Sequence, residues 1–410
     1  MAIEKRSVPR HWRRPEILLY VLSVSSALGF AVWQALLNNF AIERAGFTGQ
    51  EMGILQSLRE VPGFLSFTVV FLLLLVREQP LALLSLLVLG IGTALTGFFP
   101  TALGLYCTTV LMSIGFHYYE TVQASLALQW VDKERAPETL GRLIAVRSFT
   151  SIVTFGTIWV LFEWLSAAPG VPVLDYRWVY LIGGSVVVCI AFVGWFFFPR
   201  FPQRVAQHKH MVLRTRYWLY YALTFMSGAR RQIFVVFAGF LMVEKFGYDV
   251  EDIALLFLIN AAISVWLAPR IGRLIGRWGE RKALILEYIG LIGIFTAYAF
   301  VENAILAAGL YVADHVFFAM AIAIKTYFQK IADPADIAST AGVSFTISHI
   351  AAIVIPAAFG ALWLVSPAAV FLSGTAMALL SLLIACNVPG RPSPGNEVLV
   401  GRRPAPAAAE

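Results

Sequence analysis

The stretch IERAGFTGQEMGIL at residues 42–55 recurs 201 residues later as VEKFGYDVEDIALL at residues 243–256. Five positions match in kind between the two stretches, among them a glycine and two acidic residues. A shorter match follows in the same order, because the tripeptide Gly-Leu-Tyr occurs at 104–106 and again at 309–311. Two matches in the same order indicate that the chain is built from two repeats running in the same direction.

Both copies of this stretch follow a long apolar run, and the whole chain has the composition of a membrane protein. Hydrophobic residues make up 59% of the 410 positions, charged residues 13%, and the mean hydropathy is +0.76. Soluble domains are about half apolar and a quarter charged. A spanning helix needs about 20 apolar residues, and twelve segments qualify: 17–40, 52–76, 81–98, 102–129, 143–166, 177–199, 217–243, 251–268, 283–301, 305–328, 338–364 and 367–387.

The sequence therefore predicts an all-α membrane protein with twelve transmembrane helices in two parallel six-helix pseudo-repeats. The repeats would occupy residues 17–199 and 217–387, joined by a basic cytoplasmic linker at 200–216. A basic N-terminal tail, 1–16, precedes them, and the tail 388–410 is predicted to be disordered because it is rich in Pro, Gly and Ala. The first apolar run is too long for a cleaved signal peptide, so we interpret it as a retained span.

The distribution of Lys and Arg predicts the orientation of these helices. With the N-terminus inside, only Arg44, Arg177 and Lys245 fall in outer loops, while the cytoplasmic loops and tails hold most of the 31 basic residues. Such a bias is typical of a multi-pass protein with both termini in the cytoplasm, here of a bacterial inner membrane. The net charge of +7 is thus explained by topology and attraction to anionic lipid, and it does not indicate nucleic-acid binding.

One cytoplasmic loop resembles a known family. Residues 272–282, GRLIGRWGERK, are similar to the loop signature G-x-L-x-D-R-x-G-R-K-x of the major facilitator superfamily, although Gly276 replaces the usual Asp. The corresponding first-half loop near Arg77 lacks this signature, and span five lacks the Gly-Pro pattern of drug–proton antiporters. The resemblance implies a secondary transporter that works by alternating access on a small-molecule substrate bound between the two halves. Such a chain can act as a monomer, because it encloses its own pathway.

Enzymatic and ATP-driven functions find no support in the sequence. No Walker A loop, G-x-S-x-G, H-E-x-x-H or C-x-x-C motif is present, and no hydrophilic segment is long enough to form a soluble domain. The three cysteines are far apart in apolar runs and form no ligand cluster. We expect no cofactor, no resident metal and no catalytic residue.

Polar residues inside membrane spans are candidates for the substrate site, because a charge in the bilayer usually faces a cavity or a partner. Arg230 and Arg231 lie near the middle of span seven, and the guanidinium fork suits a carboxylate or a phosphate. Consecutive helix residues point about 100° apart, so we expect one arginine to face the cavity and the other to pair with a neighbouring helix. The further candidates are Gln34, Asn38, His117, Tyr118 and Arg147.

A second group of residues is predicted to couple transport to protons, since buried carboxylates and imidazoles can change charge near neutral pH. Its members are Asp314, His315, His349, Glu120 and Glu60. Two alternatives remain at this point. Asp314, His315 and His349 could bind a transition metal or form a structural network, and Glu120 could equally neutralise an arginine.

Within the predicted spans, five basic residues outnumber three clearly acidic ones, which favours an anionic or zwitterionic solute. The sequence therefore predicts a proton-coupled transporter of a small organic anion or zwitterion. Two other functions stay open. One is efflux of drugs, for which Trp33, Tyr118 and Tyr119 could line an apolar cavity, or of metal ions. The other is a receptor or assembly factor that uses the fold without transporting a solute.

Overall fold

The computed structural model describes residues 14–73, 75–130, 136–165, 175–201, 213–333 and 337–401. Most of the predicted basic N-terminal tail and of the linker 200–216 lie outside these ranges, as does the end of the tail beyond residue 401.

The described residues are almost entirely helical, and their fifteen α-helical segments are numbered here in chain order. They are α1 (Pro15–Ala45), α2 (Gly49–Phe64), α3 (Val69–Leu72), α4 (Glu78–Thr96), α5 (Ala102–Trp130), α6 (Ala136–Val160), α7 (Tyr176–Phe197), α8 (Trp218–Gln232), α9 (Gly239–Glu244), α10 (Val250–Trp278), α11 (Glu280–Phe300), α12 (Ala304–Phe318), α13 (Ile322–Ile331), α14 (Ile337–Val365) and α15 (Pro367–Ala385). A π-helical turn, Ile233–Ala238, joins α8 to α9, and a 3₁₀ turn, Ala319–Ala321, joins α12 to α13.

Ten stretches in the described part of the chain are long and apolar enough to cross a bilayer. The predicted spans 52–76 and 102–129 are not among them. The first is broken, because α2 carries Pro62 and ends at Phe64 in a 3₁₀ turn. The second corresponds to α5, whose 29 residues give a helix of about 44 Å, but which is interrupted by polar residues. The multi-pass membrane protein is thus confirmed, and the twelve-helix, two-repeat arrangement stays a prediction.

The repeated stretch has the same local structure in both copies. Gly46 and Gly247 each have φ of +65°, a left-handed conformation that only glycine adopts without strain. Each glycine ends a helix, since the amides of Gly46 and Gly247 donate to carbonyl oxygens four residues earlier at 3.2 and 3.1 Å. These are glycine C-caps of the kind that close helices throughout proteins.

The helix after each glycine begins with a capping box, in which side chains and backbone at the first turn bond reciprocally. At the start of α2, the Thr48 amide donates to the Glu51 carboxylate at 2.9 Å, and the Gln50 amide donates to the Thr48 hydroxyl. At the start of α10, Asp249 and Asp252 form the same arrangement. The hydrogen bond from the Thr48 side chain lowers the pKa of Glu51 below its ordinary value.

The chain divides into two compact units. The first contains Met1–Leu37 and Leu65–His208. Its core forms where α4 packs against α5 and α7. Glycines allow this close approach: a Cβ at Gly92 would lie 2.4 Å from the Met112 amide nitrogen, and one at Gly184 would lie 2.4 Å from the Gly90 carbonyl oxygen. Both distances are shorter than any van der Waals contact, so the helices pack backbone to backbone.

The second unit contains Asn38–Phe64 and Lys209–Glu410. Within it, α2 packs along α14, α14 also packs on α8, and α11 packs on α15. The contact between α2 and α14 is close, because a Cβ at Gly53 would lie 2.2 Å from the Pro356 carbonyl oxygen. Residues 38–64 thus group with the second half of the chain, although the repeat pattern assigns them to the first six-helix half.

Residues 388–401 of the predicted disordered tail have an ordered course. Val388 and Val398 are buried, and the Tyr327 hydroxyl donates to the Glu397 carbonyl at 2.6 Å. The Asn387 side chain holds the end of the loop by bonds to the backbone of Val400. The high content of Pro, Gly and Ala predicted disorder here, because overall composition does not show that two isolated valines, Val388 and Val398, are buried.

Candidate functional site

Arg230 and Arg231 lie about halfway along the span Thr215–Glu244 and point to different surroundings. Arg230 has no exposed surface, whereas Arg231 is exposed. Since the two side chains leave the helix about 100° apart, one enters the interior of the second unit and the other reaches an open surface. The expectation that one arginine pairs and the other is available is consistent with this arrangement, in which Arg231 is the available one.

Arg230 is enclosed by α11. Its Nη2 atom lies 3.6 Å from Oε1 of Glu287, and its guanidinium stacks on the Tyr288 ring at 4.3 Å. Its Nε donates to the Met226 carbonyl at 3.2 Å, one turn earlier on α8. Both Arg230 and Glu287 are 0% exposed, so this ion pair is shielded from water.

Asp314 on α12 is the third charged member of this group. It is also fully buried, and it interacts electrostatically with both Arg230 and Glu287. None of the four carboxylate oxygens of Glu287 and Asp314 accepts a hydrogen bond from a described residue. We call Arg230, Glu287, Asp314 and Tyr288 the Arg230 cluster. It sets two carboxylates against one guanidinium.

His315, next to Asp314, points to the opposite environment. Its Nε2 lies 2.6 Å from the Ser264 hydroxyl of α10, and it is only partly buried. It interacts electrostatically with Arg231, not with the Arg230 cluster. Arg230 and Asp314 thus lie inside the Arg230 cluster. The residues that follow them in the chain, Arg231 and His315, lie on the open side.

Glu60 and His349 meet where α2 packs along α14. His349 Nε2 lies 3.5 Å from Glu60 Oε2, and Glu60 also forms an ion pair with Arg59. The Arg59 Nε donates to the Gln56 side-chain oxygen at 2.8 Å. Arg59 is therefore held by contacts to both Gln56 and Glu60. Arg231 interacts electrostatically with Glu60 and Arg59.

We call the set formed by Arg231, Glu60, His349, His315 and Ser264 the Arg231 surface. Arg231 makes no hydrogen bond and no ion pair within 4 Å to any residue in the described ranges. An arginine facing lipid at this depth would be strongly unfavourable. Its charged neighbours lie on α2 and α12, which places Arg231 on a polar, water-accessible face. A guanidinium with free donors at such a position can bind a carboxylate or a phosphate.

The charged candidates of the first unit pair with each other. Arg147 Nη1 lies 2.6 and 2.8 Å from the two carboxylate oxygens of Glu120, with about a third of each side chain exposed. This ion pair corresponds to the alternative role of Glu120, in which it neutralises an arginine. Tyr118 is 2.7 Å from the Thr68 hydroxyl, and His117 is buried with its ring edge-on to Phe116.

Polar and aromatic candidates on α1 are largely enclosed. Gln34 is half-buried and Asn38 is buried. The neighbouring Asn39, which sequence reasoning did not select, donates to the Tyr248 carbonyl at 2.8 Å. Trp33 and Tyr119 are 1% and 0% exposed, so they fill the core of the first unit and do not line an open apolar cavity.

Two expectations about the buried charges change. Among the described residues, Asp314, His315 and His349 do not bring three ligand atoms within 4.8 Å of one another, because Asp314 turns into the Arg230 cluster. Glu287 is a further buried charge that the sequence does not indicate, because it lies only a few residues into its predicted span. With Glu287 included, five basic residues in the predicted spans stand against four clearly acidic ones. Among the described residues, the ion pairs Arg59–Glu60, Arg147–Glu120 and Arg230–Glu287 leave Arg231 and Lys325 as the basic residues outside these pairs.

Comparisons with known proteins agree with this architecture. The model of the Major Facilitator Superfamily matches residues 18–356. The nucleoside transporter NupG superposes with a TM-score of 0.73 at 12% identity, covering 91% of this chain and 98% of that one. A bacterial homologue of the human lysosomal transporter Spinster, in an inward-facing and occupied conformation, superposes with a TM-score of 0.73 at 13% identity, covering 90% and 95% of the two chains.

No curated protein matches the sequence. The family model covers most of the chain, and the solved structures match over nearly their whole length. The chain belongs to the major facilitator superfamily, whose members are multi-pass membrane transporters.

Proposed function

We propose that this protein is a secondary active transporter that moves a small organic anion or zwitterion by alternating access, coupled to protons. Arg231 binds the anionic group of the solute. The observation that carries this proposal is the exposed guanidinium of Arg231 halfway along its span, which forms no ion pair with any residue that the structure describes. Transport leaves the solute chemically unchanged, so the site needs no catalytic residue. A guanidinium that binds a solute of opposite charge is sufficient.

The neighbours of Arg231 support a site for a solute with both polar and charged groups. His315 and Ser264 present one hydrogen-bonding pair, and Glu60 with His349 presents a second. These groups can accept as well as donate, so a zwitterion or a hydroxylated acid would find partners for its cationic or hydroxyl groups. The location is proposed to be a bacterial inner membrane, with both termini in the cytoplasm.

The residue sets predicted for the rival functions do not form as the sequence predicted. Trp33 and Tyr119 are buried, which argues against a large apolar drug cavity around them. The proposed metal set of Asp314, His315 and His349 does not converge among the described residues. NupG transports nucleosides according to its name, but at 12% identity that likeness concerns the fold. Nucleosides therefore belong in the test as a competing class.

The test is thermal stabilisation of the detergent-purified protein by succinate, inorganic phosphate, glycine, uridine and Zn²⁺. A ligand that binds only the folded state raises the melting temperature by mass action. We expect one of the anions or the zwitterion to stabilise the wild type. Arg231→Ala should abolish that stabilisation, and Arg231→Lys should retain part of it, because lysine keeps the charge but not the fork.

Arg270→Ala is the matched control. Arg270 is an exposed arginine on α10 whose partner among the described residues is Trp266, through its carbonyl and its ring, so loss of Arg270 should leave ligand stabilisation unchanged. Stabilisation by uridine or Zn²⁺ alone, or anion stabilisation that survives Arg231→Ala, would contradict the proposal. Absence of stabilisation by any of these classes would favour a receptor or an assembly factor on the same fold.

A further inference from the structure

The Arg230 cluster contains more negative than positive charge in a region closed to water. Arg230, Glu287 and Asp314 are each 0% exposed. If both carboxylates were ionised, the group would carry one uncompensated negative charge. Buried charges without a partner are strongly unfavourable, and proteins usually neutralise them.

Among the described residues, Arg230 is the one cation that interacts electrostatically with Glu287 or Asp314. The cluster is formed by α8, α11 and α12, and the remaining titratable groups near the carboxylates are the buried tyrosines Tyr288, Tyr298 and Tyr311. Helix α15, which packs on α11, carries no charged residue. Tyrosine hydroxyls are neutral at physiological pH, so they cannot balance the second carboxylate. One proton on either carboxylate would make the cluster neutral.

We infer that Glu287 and Asp314 share a single proton opposite Arg230, and that this pair is the proton-coupling site of the transporter. The inference rests on the proposed function and assigns its coupling step to these residues. It also removes Arg230 from the substrate-binding set and makes it the counter-ion of the proton site. The proton binds to a carboxylate oxygen from the water on one side of the membrane and leaves from it to the water on the other side, so that one proton crosses in each cycle.

The site is linked to the Arg231 surface by two covalent connections. Arg230 precedes Arg231 on α8, and Asp314 precedes His315 on α12. When the proton leaves, Arg230 faces two ionised carboxylates and is drawn more strongly toward them. The π-helical turn Ile233–Ala238 follows immediately, and such turns are places where helices adjust at functional sites. A shift of Arg230 there changes the position of Arg231 and therefore the binding of the solute.

Infrared spectroscopy of the purified protein at neutral pH tests the shared proton without any ligand. A protonated carboxyl group gives a C=O stretch separate from the amide and carboxylate bands. We expect one such band in the wild type and its loss in both Asp314→Asn and Glu287→Gln, because either change leaves one carboxylate for one arginine. The control is Glu280→Gln, which removes a buried carboxylate paired with Lys330 at 2.7 Å and should leave the band intact.

Arg230→Met gives the opposite signal. Without the guanidinium, both carboxylates must be neutral to stay buried, so the band should double. Misfolding could remove the band, but it would not double it, so this result is independent of whether a variant folds poorly. A wild type without the band, a band that survives in either single carboxylate variant, or no increase in Arg230→Met would overturn the shared proton.

The link to the substrate surface is tested by adding succinate or inorganic phosphate to the same samples. The anion that stabilises the wild type should change the intensity of the band, and the change should be absent in Arg231→Ala. An unchanged band while the anion binds would overturn the link. Loss of the band in both carboxylate variants, combined with no Arg231-dependent ligand, would instead contradict the proposed substrate class and leave the proton site standing.

Discussion

Replacement of Arg230 by methionine gives the most direct measure of how the buried charges contribute to stability. The guanidinium lies 3.6 Å from the Glu287 carboxylate. At an effective dielectric constant of about 20, this separation corresponds to about 4.6 kcal/mol. Removal of one partner from buried ion pairs destabilises proteins by about 3–5 kcal/mol. We therefore expect Arg230→Met to lower the free energy of unfolding by about 4 kcal/mol at pH 7.

The loss should depend on pH in a defined direction. In the variant, Glu287 and Asp314 must both bind a proton to remain buried, one proton more than the pair holds in the wild type, whereas both are ionised in the unfolded chain at pH 7. The folded variant then holds two more protons than the unfolded chain, so its stability increases as the pH falls. The loss of stability relative to the wild type should shrink by about 1.4 kcal/mol per pH unit, the contribution of the one additional proton, until the pH approaches the ordinary pKa of a carboxyl group.

The assay is unfolding by SDS in mixed micelles, followed by tryptophan fluorescence or circular dichroism between pH 5 and 8. The control is Arg270→Met, which removes an exposed arginine on α10 and should change stability little. The triple variant Arg230→Met, Glu287→Gln, Asp314→Asn removes all three charges and should recover most of the loss, because neutral amides tolerate burial better than charges. Arg230→Met with wild-type stability, or a triple variant as unstable as the single one, would refute the charge argument.

Three further predictions concern helix packing, the Arg147–Glu120 ion pair and the capping of α2. Gly53→Ala should lower stability by about 1–3 kcal/mol, because its Cβ would lie 2.2 Å from a backbone oxygen of α14, whereas Gly293→Ala, which meets nothing within 4 Å, should be neutral or slightly stabilising in the same thermal assay. Glu120→Gln should lower the free energy of unfolding by on the order of 1 kcal/mol, since the partly exposed Arg147 loses its carboxylate partner. Adding Arg147→Met should restore part of the lost stability. Equal stability of the wild type, the single variant and the double variant would contradict the pairing. The capping bonds of Glu51 favour its ionised form, so wild-type stability should fall as the pH drops below 4.5, and Glu51→Gln should reduce that dependence in melting curves recorded from pH 3 to 6.

The sequence was sufficient for the parts of the structure that depend on local chemistry. The repeated stretch predicted two copies of one local structure, and Gly46 and Gly247 have the same φ of +65°. Long apolar runs predicted the helices, because a helix satisfies its own backbone in lipid. The exception is span 52–76, in which a proline and a 3₁₀ turn divide the helix.

The candidate site could be predicted only in part. The sequence identified Arg230, Arg231, Asp314 and His315 as candidates, because each is a polar residue within an apolar run. It could not predict which way each side chain points, since a rotation of a helix by 100° exchanges the positions of two neighbouring side chains. The sequence does not identify Glu287 as buried, because it lies seven residues after the first residue of α11, about 10 Å along the helix, where a carboxylate could equally reach the interface.

The comparison of the two repeats separates residues that make the fold from residues that make the site. The glycine turn and the capping box are present in both copies, and they act through backbone conformation. The charges are not repeated: at the same offset of 201, Arg59 and Glu60 correspond to Asn260 and Ala261. The predicted two-repeat arrangement concerns the backbone, whereas a solute with one charged end requires a site whose charges differ between the repeats. Positions at which the repeats agree in backbone and differ in charge are therefore where substrate and proton binding should be sought first.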